Sequence, residues 1–171
     1  EEAQSKLSRF TSVQELSPGG NYLIGGSYPT GASSGNPDFD PFLLELDRNT
    51  GDLLTANWNQ AFDFDKNEEL RSVKRKGNGI YAVGRVEFSP PPNSQRSPVI
   101  YHADANGNLL ELLKLEIASV GTPYLEATDL VFDADSLVVC LHGRFDTTPG
   151  LLSDQMALVK IAPNGQVIWA R

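Results

Sequence analysis

A threefold internal repeat is the feature of this sequence that most constrains its fold. The segment from Asn21 to Leu54 predicts a strand ending in Gly-Gly, a polar loop, a second strand, a tight turn and the start of a third strand. The same order of features recurs from Gly79 to Leu113 and from Ser136 to Trp169. Alternating apolar residues and Gly, Asn and Asp turn signals predict strands throughout.

The period of the repeat indicates the architecture. Apolar residues of the first strand recur after 60 and 57 residues, and the turn glycines recur after 56 and 58 residues. These positions are Val13, Val73 and Leu130, and Gly51, Gly107 and Gly165. Units of this length with four antiparallel strands are typical of β-propeller blades. We therefore predict an all-β fold of three four-stranded antiparallel blade-like repeats.

The repeats divide the chain into five consecutive segments. We predict an N-terminal extension at 1–9, blade repeats at 10–61, 70–118 and 119–171, and an acidic connector at 62–69. Polar loops are expected at 29–37, 89–96 and 146–154. The stretch Leu109 to Ile117 alone fits an amphipathic helix, but its counterparts in the other repeats favour a strand.

Composition bounds the class of protein. With 171 residues and 40% hydrophobic residues, the chain is long and apolar enough for one globular core. The net charge of −8 argues against a nucleic-acid-binding surface, which needs a basic face, and suits a soluble extracellular protein. The sequence contains no apolar run of about 20 residues that would predict a membrane span. Because it starts at Glu1, without Met or a signal peptide, we expect a processed product or an excised piece of a longer chain.

The chemically reactive residues form no recognisable catalytic or zinc motif. Cys140 is the single cysteine, so an intramolecular disulfide is impossible, and it lies in an apolar run that favours a small buried hydrophobe. A strand would put Cys140 and His142 on one face, but no third group completes a nucleophilic site. The other histidine, His102, belongs to a different strand of another repeat. We predict no catalytic residue, no metal ligand and no cofactor.

One acidic stretch resembles the start of a calcium-binding loop. Residues Asp63 to Glu69 offer oxygen ligands at alternate positions, but Glu68 stands where an EF-hand requires Gly, and Lys74 where it requires Glu. The favoured interpretation is a solvated connector between blades, with calcium bound in a geometry other than the EF-hand as the alternative. Asp133 and Asp135 are interpreted as turn formers.

Two further groups of residues allow alternative roles. The basic run from Arg71 to Lys76 is interpreted as an exposed strand face, with a docking patch for an acidic surface as the alternative. The aromatic residues are expected mainly in the core between blades, with a sugar- or peptide-binding surface as the alternative. They are Tyr22, Tyr28, Phe39, Trp58, Tyr81, Tyr101 and Phe145.

The turn sequences carry a resemblance to known propeller families. The segment Leu46 to Leu54, LDRNTGDLL, resembles the L-D-x-x-T-G-x-x-x-W segment of quinoprotein-type blades, and Asn164 to Trp169 has the Gly and the Trp at that spacing. The first two repeats have Thr55 and Glu111 in place of the Trp. The Gly-ending strand and the acidic Asp38–Asp40 resemble blades of repetitive secreted bacterial proteins. The resemblance implies blade architecture over residues of about 10 to 171, and no residue matches the cofactor or calcium ligands of the quinoproteins.

Three blades leave two apolar sheet faces without a neighbour, because propellers close with about 4 to 8 blades. The chain is then a piece of a longer propeller, half of a six-bladed ring of two copies, or a packing other than a ring. The sequence favours a non-catalytic extracellular or cell-surface module for assembly, adhesion or ligand display, with copies of itself, further blades, a carbohydrate or a surface protein as partners. The alternative is part of a propeller enzyme, a sugar hydrolase or lyase or a quinoprotein-like dehydrogenase.

Overall fold

The described part of the chain is built of β-strands. A computed structural model describes residues 9–29, 39–55, 67–87, 96–115, 124–148 and 151–171. These residues contain no helix that is long and apolar enough to cross a membrane. The strands are β1 (Arg9–Glu15), β2 (Tyr22–Pro29), β3 (Phe39–Leu46), β4 (Leu53–Thr55), β5 (Asn67–Lys76), β6 (Gly79–Glu87), β7 (Arg96–Ala103), β8 (Leu109–Lys114), β9 (Tyr124–Asp133), β10 (Ser136–Thr148), β11 (Leu151–Ile161) and β12 (Val167–Ala170).

The strands form three four-stranded antiparallel sheets, which confirms the predicted fold class. Strands β1–β4, β5–β8 and β9–β12 pair in chain order, and we call these sheets blades 1, 2 and 3. Blades 2 and 3 are joined at one point, where Arg96 of β7 pairs in parallel with Tyr124 of β9. The first strands of consecutive blades contact each other, β1 with β5 and β5 with β9. The blades lie side by side and do not close a ring.

A β-bulge at one repeated position supports the alignment of the three repeats. In the pairing of each blade's first and second strands, the register shifts by one residue, so one residue of the first strand has no partner. A bulge bends a strand and increases its twist. The unpaired residues are Thr11, Arg71 and Thr128, each two residues before the apolar position that defined the period.

The turn between the third and fourth strands also recurs as predicted. Its glycines, Gly51, Gly107 and Gly165, have φ values of 73°, 82° and 80°. Residues that have a Cβ atom rarely adopt this left-handed backbone conformation, which explains the glycine at each position. Each glycine N–H donates to the carbonyl of the residue that opens the turn, at distances of 2.9, 3.0 and 2.9 Å. The opening residues are Asp47, Asp104 and Ala162.

Two segments differ from the expectation. Strand β5 begins at Asn67, three residues before the predicted start, while residues 62–66 of the expected connector lie outside the described part of the chain, as do residues 56–61 at the end of the predicted blade repeat 1. The loop expected at 146–154 is largely strand, because β10 and β11 stay paired as far as Thr148 and Leu151. The stretch from Leu109 to Lys114 is strand β8, as the repeat predicted. The expected loops at 29–37 and 89–96 fall almost wholly outside the described residues.

The apolar core lies between the blades. One cluster joins blades 1 and 2, and the other joins blades 2 and 3. Blade 2 contributes one face to each cluster, so both of its faces are covered. The first cluster contains Leu23, Leu43, Leu70, Val73, Ile80, Ala82, Val86, Val99, Tyr101 and Ala103, and the second contains Val83, Ile100, Ala127, Leu130, Leu137, Val139, Leu141, Val159 and Ile161.

Candidate functional site: the open faces of blades 1 and 3

We call the face of a blade that is turned towards the next blade in the chain its front, and the face that is turned towards the preceding blade its back; only blade 2 has both faces covered by other blades of the described chain. At the contact of blades 1 and 2, Gly25 lies on the front of blade 1 and Val73 on the back of blade 2. A Cβ atom added to Gly25 would lie 3.3 Å from the Cβ of Val73. The two sheets therefore approach closely at this point because Gly25 has no side chain.

The back of blade 1 is open to solvent. Val13 has 63% of its surface exposed, whereas Val73 and Leu130, at the same repeat position, are 0% and 1% exposed. The apolar position three residues earlier shows the same difference in burial: Phe10 is exposed, while Leu70 and Ala127 are buried. Phe10, Thr11, Ser12, Val13, Ile24 and Leu46 line a groove of about 450 Å³ on this blade.

The front of blade 3 is open as well. Leu158 lies four residues before the residue that opens its turn, and Leu43 and Ile100 hold the same place in blades 1 and 2. Leu158 is 45% exposed, while Leu43 and Ile100 are 0% and 1% exposed. Cys140 lies beside Leu158 in the strand register and is half-buried, and Met156 is exposed. Both ends of the row of blades thus present apolar positions that the repeat buries elsewhere.

Side chains of blade 1 bond to the backbone of the first strand of blade 2. The hydroxyl of Ser12 accepts the N–H of Val73 at 3.0 Å, and the amide oxygen of Gln14 accepts the N–H of Arg75 at 2.6 Å. Such contacts protect an edge strand, whose N–H groups have no neighbouring strand to bond. Neighbouring blades are therefore held by hydrogen bonds along their first strands, which we call the inner edge, as well as by apolar packing between the sheet faces.

A network of charged side chains crosses all three blades near the start of their first strands. Glu69 bonds Arg9 of blade 1 at 3.2 Å, Arg71 at 3.1 Å and Arg85 at 2.6 Å. Arg71 also reaches Glu126 of blade 3 at 3.0 Å. Arg9, Glu69 and Glu126 occupy one repeat position, each four residues before the defining apolar residue. The network therefore connects all three blades through their side chains. Removing one partner of a buried ion pair lowers the free energy of unfolding, because the other charge stays buried without its partner.

A cavity of about 590 Å³ lies between the front of blade 2 and the back of blade 3. The ring of Tyr81 stacks on His102 with centroids 4.3 Å apart, and Phe132 contacts Tyr81 edge-on at 5.3 Å. At the rim, Lys76 forms an ion pair with Asp135 at 3.1 Å. The cavity has an aromatic wall, but the described residues include no cluster of His, Cys, Asp and Glu able to hold a metal ion.

The structure assigns several sequence candidates to the contacts between blades. Of the basic run, Arg71 and Lys76 pair with acidic residues of blade 3 rather than forming a free patch. Glu68 and Glu69, expected to be solvated, are buried strand residues. Asp133, by contrast, pairs within its own blade: at the end of β9 it accepts a hydrogen bond of 2.6 Å from Lys160 of β11, which lowers the pKa of this carboxyl below its ordinary value. Residues 63–66 of the acidic stretch lie outside the described chain.

The aromatic candidates Tyr101 and Tyr81 lie between blades, whereas Cys140 lies on an open face. Tyr101 is buried in the core between blades 1 and 2, and this burial raises the pKa of its hydroxyl above the ordinary value. Tyr81 lies between blades 2 and 3, as expected. Cys140 and exposed His142 share the open front of blade 3. Cys140 is half-buried, and so less buried than expected, because no blade within the described ranges covers this face. Trp58 and the side chain of Phe145 lie outside the described part.

Sequence reasoning missed the charged network and the unequal burial of equivalent positions. An Arg at position 9 and Glu at positions 69 and 126 were visible in the aligned repeats. A charged residue at the same position of all three repeats, basic in the first and acidic in the other two, is the sequence signal for this network. No known protein-family model matches the chain, and no curated protein matches its sequence.

Proposed function

We propose that this chain is a non-catalytic β-propeller-type module of an extracellular or cell-surface protein, and that it works in assembly through contacts between blades. The blades are similar to those of repetitive secreted bacterial proteins and, more weakly, to quinoprotein-type blades. Adhesion or ligand display is compatible with this role, since an assembled row of blades exposes its loops and outer strands. The acidic surface charge suits a soluble extracellular setting.

One observation carries the proposal. Val13 and Leu158 are exposed at the two ends, although the residues at the same repeat positions are buried wherever a neighbouring blade is present. Repeat units bury their apolar faces only against neighbours, so the open faces are suited to further blades. Large exposed apolar patches on soluble proteins commonly mark interaction sites.

The experiment adds a fourth blade to the chain. A second copy of residues 62–118, the repeat of blade 2, is fused before β1, so that its front can cover the back of blade 1. At a protein concentration low enough to keep both proteins monomeric, we expect a higher thermal unfolding midpoint and slower hydrogen exchange in β1 than in the parent chain. The matched control carries Val13→Asp in the same four-blade chain and should lose both gains. If the added blade leaves the midpoint and the exchange of β1 unchanged, the open faces are not blade-binding surfaces.

A further inference from the structure

The contact between blades 1 and 2 supplies a template for what covers the open faces. Gly25 on a front face meets Val73 on a back face. At the same repeat positions of the next contact, Val83 of blade 2 and Leu130 of blade 3 belong to one core cluster. In the strand register, Cys140 holds the position of Gly25 and Val83. Val13 holds the position of Val73. The front of blade 3 therefore presents Cys140 where blade 1 presents Gly25. The back of blade 1 presents Val13 where blade 2 presents Val73.

We propose that a second copy of this chain covers both faces, with the front of blade 3 of each copy on the back of blade 1 of the other. This inference rests on the proposed function and names the partner. Three blades from each of two copies make six, within the range of about 4 to 8 blades that close a propeller. A front-to-back contact generates a closed assembly when the rotation between copies returns to the start.

The apolar groups match across this contact. Val13, Phe10 and Ile24 offer branched and aromatic surface on the back of blade 1. Leu158, Cys140 and Val138 stand on the front of blade 3, where Leu43, Gly25 and Leu23 stand on blade 1. Both sets are apolar at the places where the internal contacts are apolar.

Charge and hydrogen bonding match as well. In the internal network, Glu69 of blade 2 bonds Arg9 of blade 1 at the shared repeat position. Between copies, that position brings Glu126 of blade 3 to Arg9 of the second copy, whose side chain is 54% exposed. Asp129 holds the place of Ser12, whose hydroxyl accepts the N–H of Val73. Because Oδ1 of Asp129 already accepts the hydroxyl of Ser72 and the N–H of Leu130, the proposed contact assigns its Oδ2 as the acceptor for the N–H of Val13 in the second copy.

The test is a disulfide between copies. Because Cys140 is the only cysteine, Val13→Cys adds one partner, and the template distance of 3.3 Å between Cβ positions is close to that in a disulfide, about 3.5 to 4.5 Å. Under oxidised glutathione, the variant should convert almost wholly to a crosslinked dimer on a non-reducing gel. The double variant Val13→Cys, Cys140→Ser should give none of this product. Asn49→Cys, in an exposed turn of blade 1, is the matched control for random collisions and should give only traces.

Each outcome has one meaning. A crosslinked dimer without larger species supports the closed ring of two copies. A ladder of higher polymers overturns the ring, since the contact then continues as an open chain. Crosslinking no faster than in Asn49→Cys overturns the second copy as the partner. In that case a positive result with the fused fourth blade keeps the proposed function, while failure of both experiments removes the two together.

Discussion

The hydroxyl of Ser72 donates a 2.6 Å hydrogen bond to Oδ1 of Asp129, and the two residues occupy the same position in consecutive repeats. The same carboxylate oxygen accepts the N–H of Leu130 at 2.8 Å. In the preceding contact, Ser12 accepts the N–H of Val73. One repeat position thus links each blade to the next along the inner edge.

The Ser72–Asp129 bond can be measured with a double-mutant cycle. We expect Ser72→Ala and Asp129→Ala each to lower the free energy of unfolding, with a coupling of about 1.5 to 3 kcal/mol, typical of a hydrogen bond to a charged group. Urea unfolding of the two single variants and the double variant gives the coupling. Additive effects would show that the bond contributes nothing to the contact of blades 2 and 3.

Equivalent valines should respond differently to the same truncation. Val73→Ala removes two buried methyl groups and should cost about 2 kcal/mol of unfolding free energy. Val13→Ala, at the same repeat position on an open face, should change it by less than about 0.5 kcal/mol in the dilute chain. Chemical unfolding at low protein concentration measures both. Equal losses would contradict the assignment of an open back face to blade 1.

Glu69 should be more important to stability than any exposed ion pair. Because its carboxylate and Arg85 are both buried, Glu69→Ala should cost about 3 to 5 kcal/mol. The control is Glu15→Ala, which breaks a pair with Arg48 at 2.7 Å in which both side chains are more than 40% exposed and should cost at most about 1 kcal/mol. Thermal and urea unfolding compare the two. A loss for Glu69→Ala no larger than that of the control would mean that the network does not hold the blades together.

The Asp104 turn should make a small contribution to acid sensitivity. The side chain and backbone of Asn108 donate hydrogen bonds to its carboxylate and lower its pKa from the ordinary 3.8. A lowered folded-state pKa gives stability that is present above about pH 3.8 and is lost as pH falls through the folded value. We expect NMR titration to place the Asp104 midpoint below 3.8, and Asp104→Asn to flatten the loss of stability at acid pH. A midpoint at or above 3.8 would contradict the turn geometry.

Local sequence signals were sufficient for much of the fold. Turns and strands are encoded by residues close together in the sequence: the turns by the left-handed glycines and the strands by alternating apolar residues. The glycines are Gly51, Gly107 and Gly165. The period also predicted a strand for the ambiguous stretch after Gly107, because its counterparts in the other repeats favour a strand, and the structure confirms it as β8.

The site was harder to predict because it depends on distant neighbours. Nothing about Val13 as a residue distinguishes it from Val73, and only the absence of a preceding blade among the described residues leaves it exposed. Likewise, Glu69 lies in an acidic sequence that looks solvated. Its burial depends on Arg85 and on Arg9, which is 60 residues away in the chain.

The mass of the chain in solution tests the central claim most directly. Light scattering after size exclusion should give twice the chain mass of 18.6 kDa for the wild type at high concentration, and 18.6 kDa for Val13→Asp with an unchanged circular dichroism spectrum. The charge of the aspartate would be buried without a partner at the proposed contact, so the dimer should dissociate. A folded wild-type chain that stays at 18.6 kDa at the highest concentration would contradict assembly of two copies through the open faces.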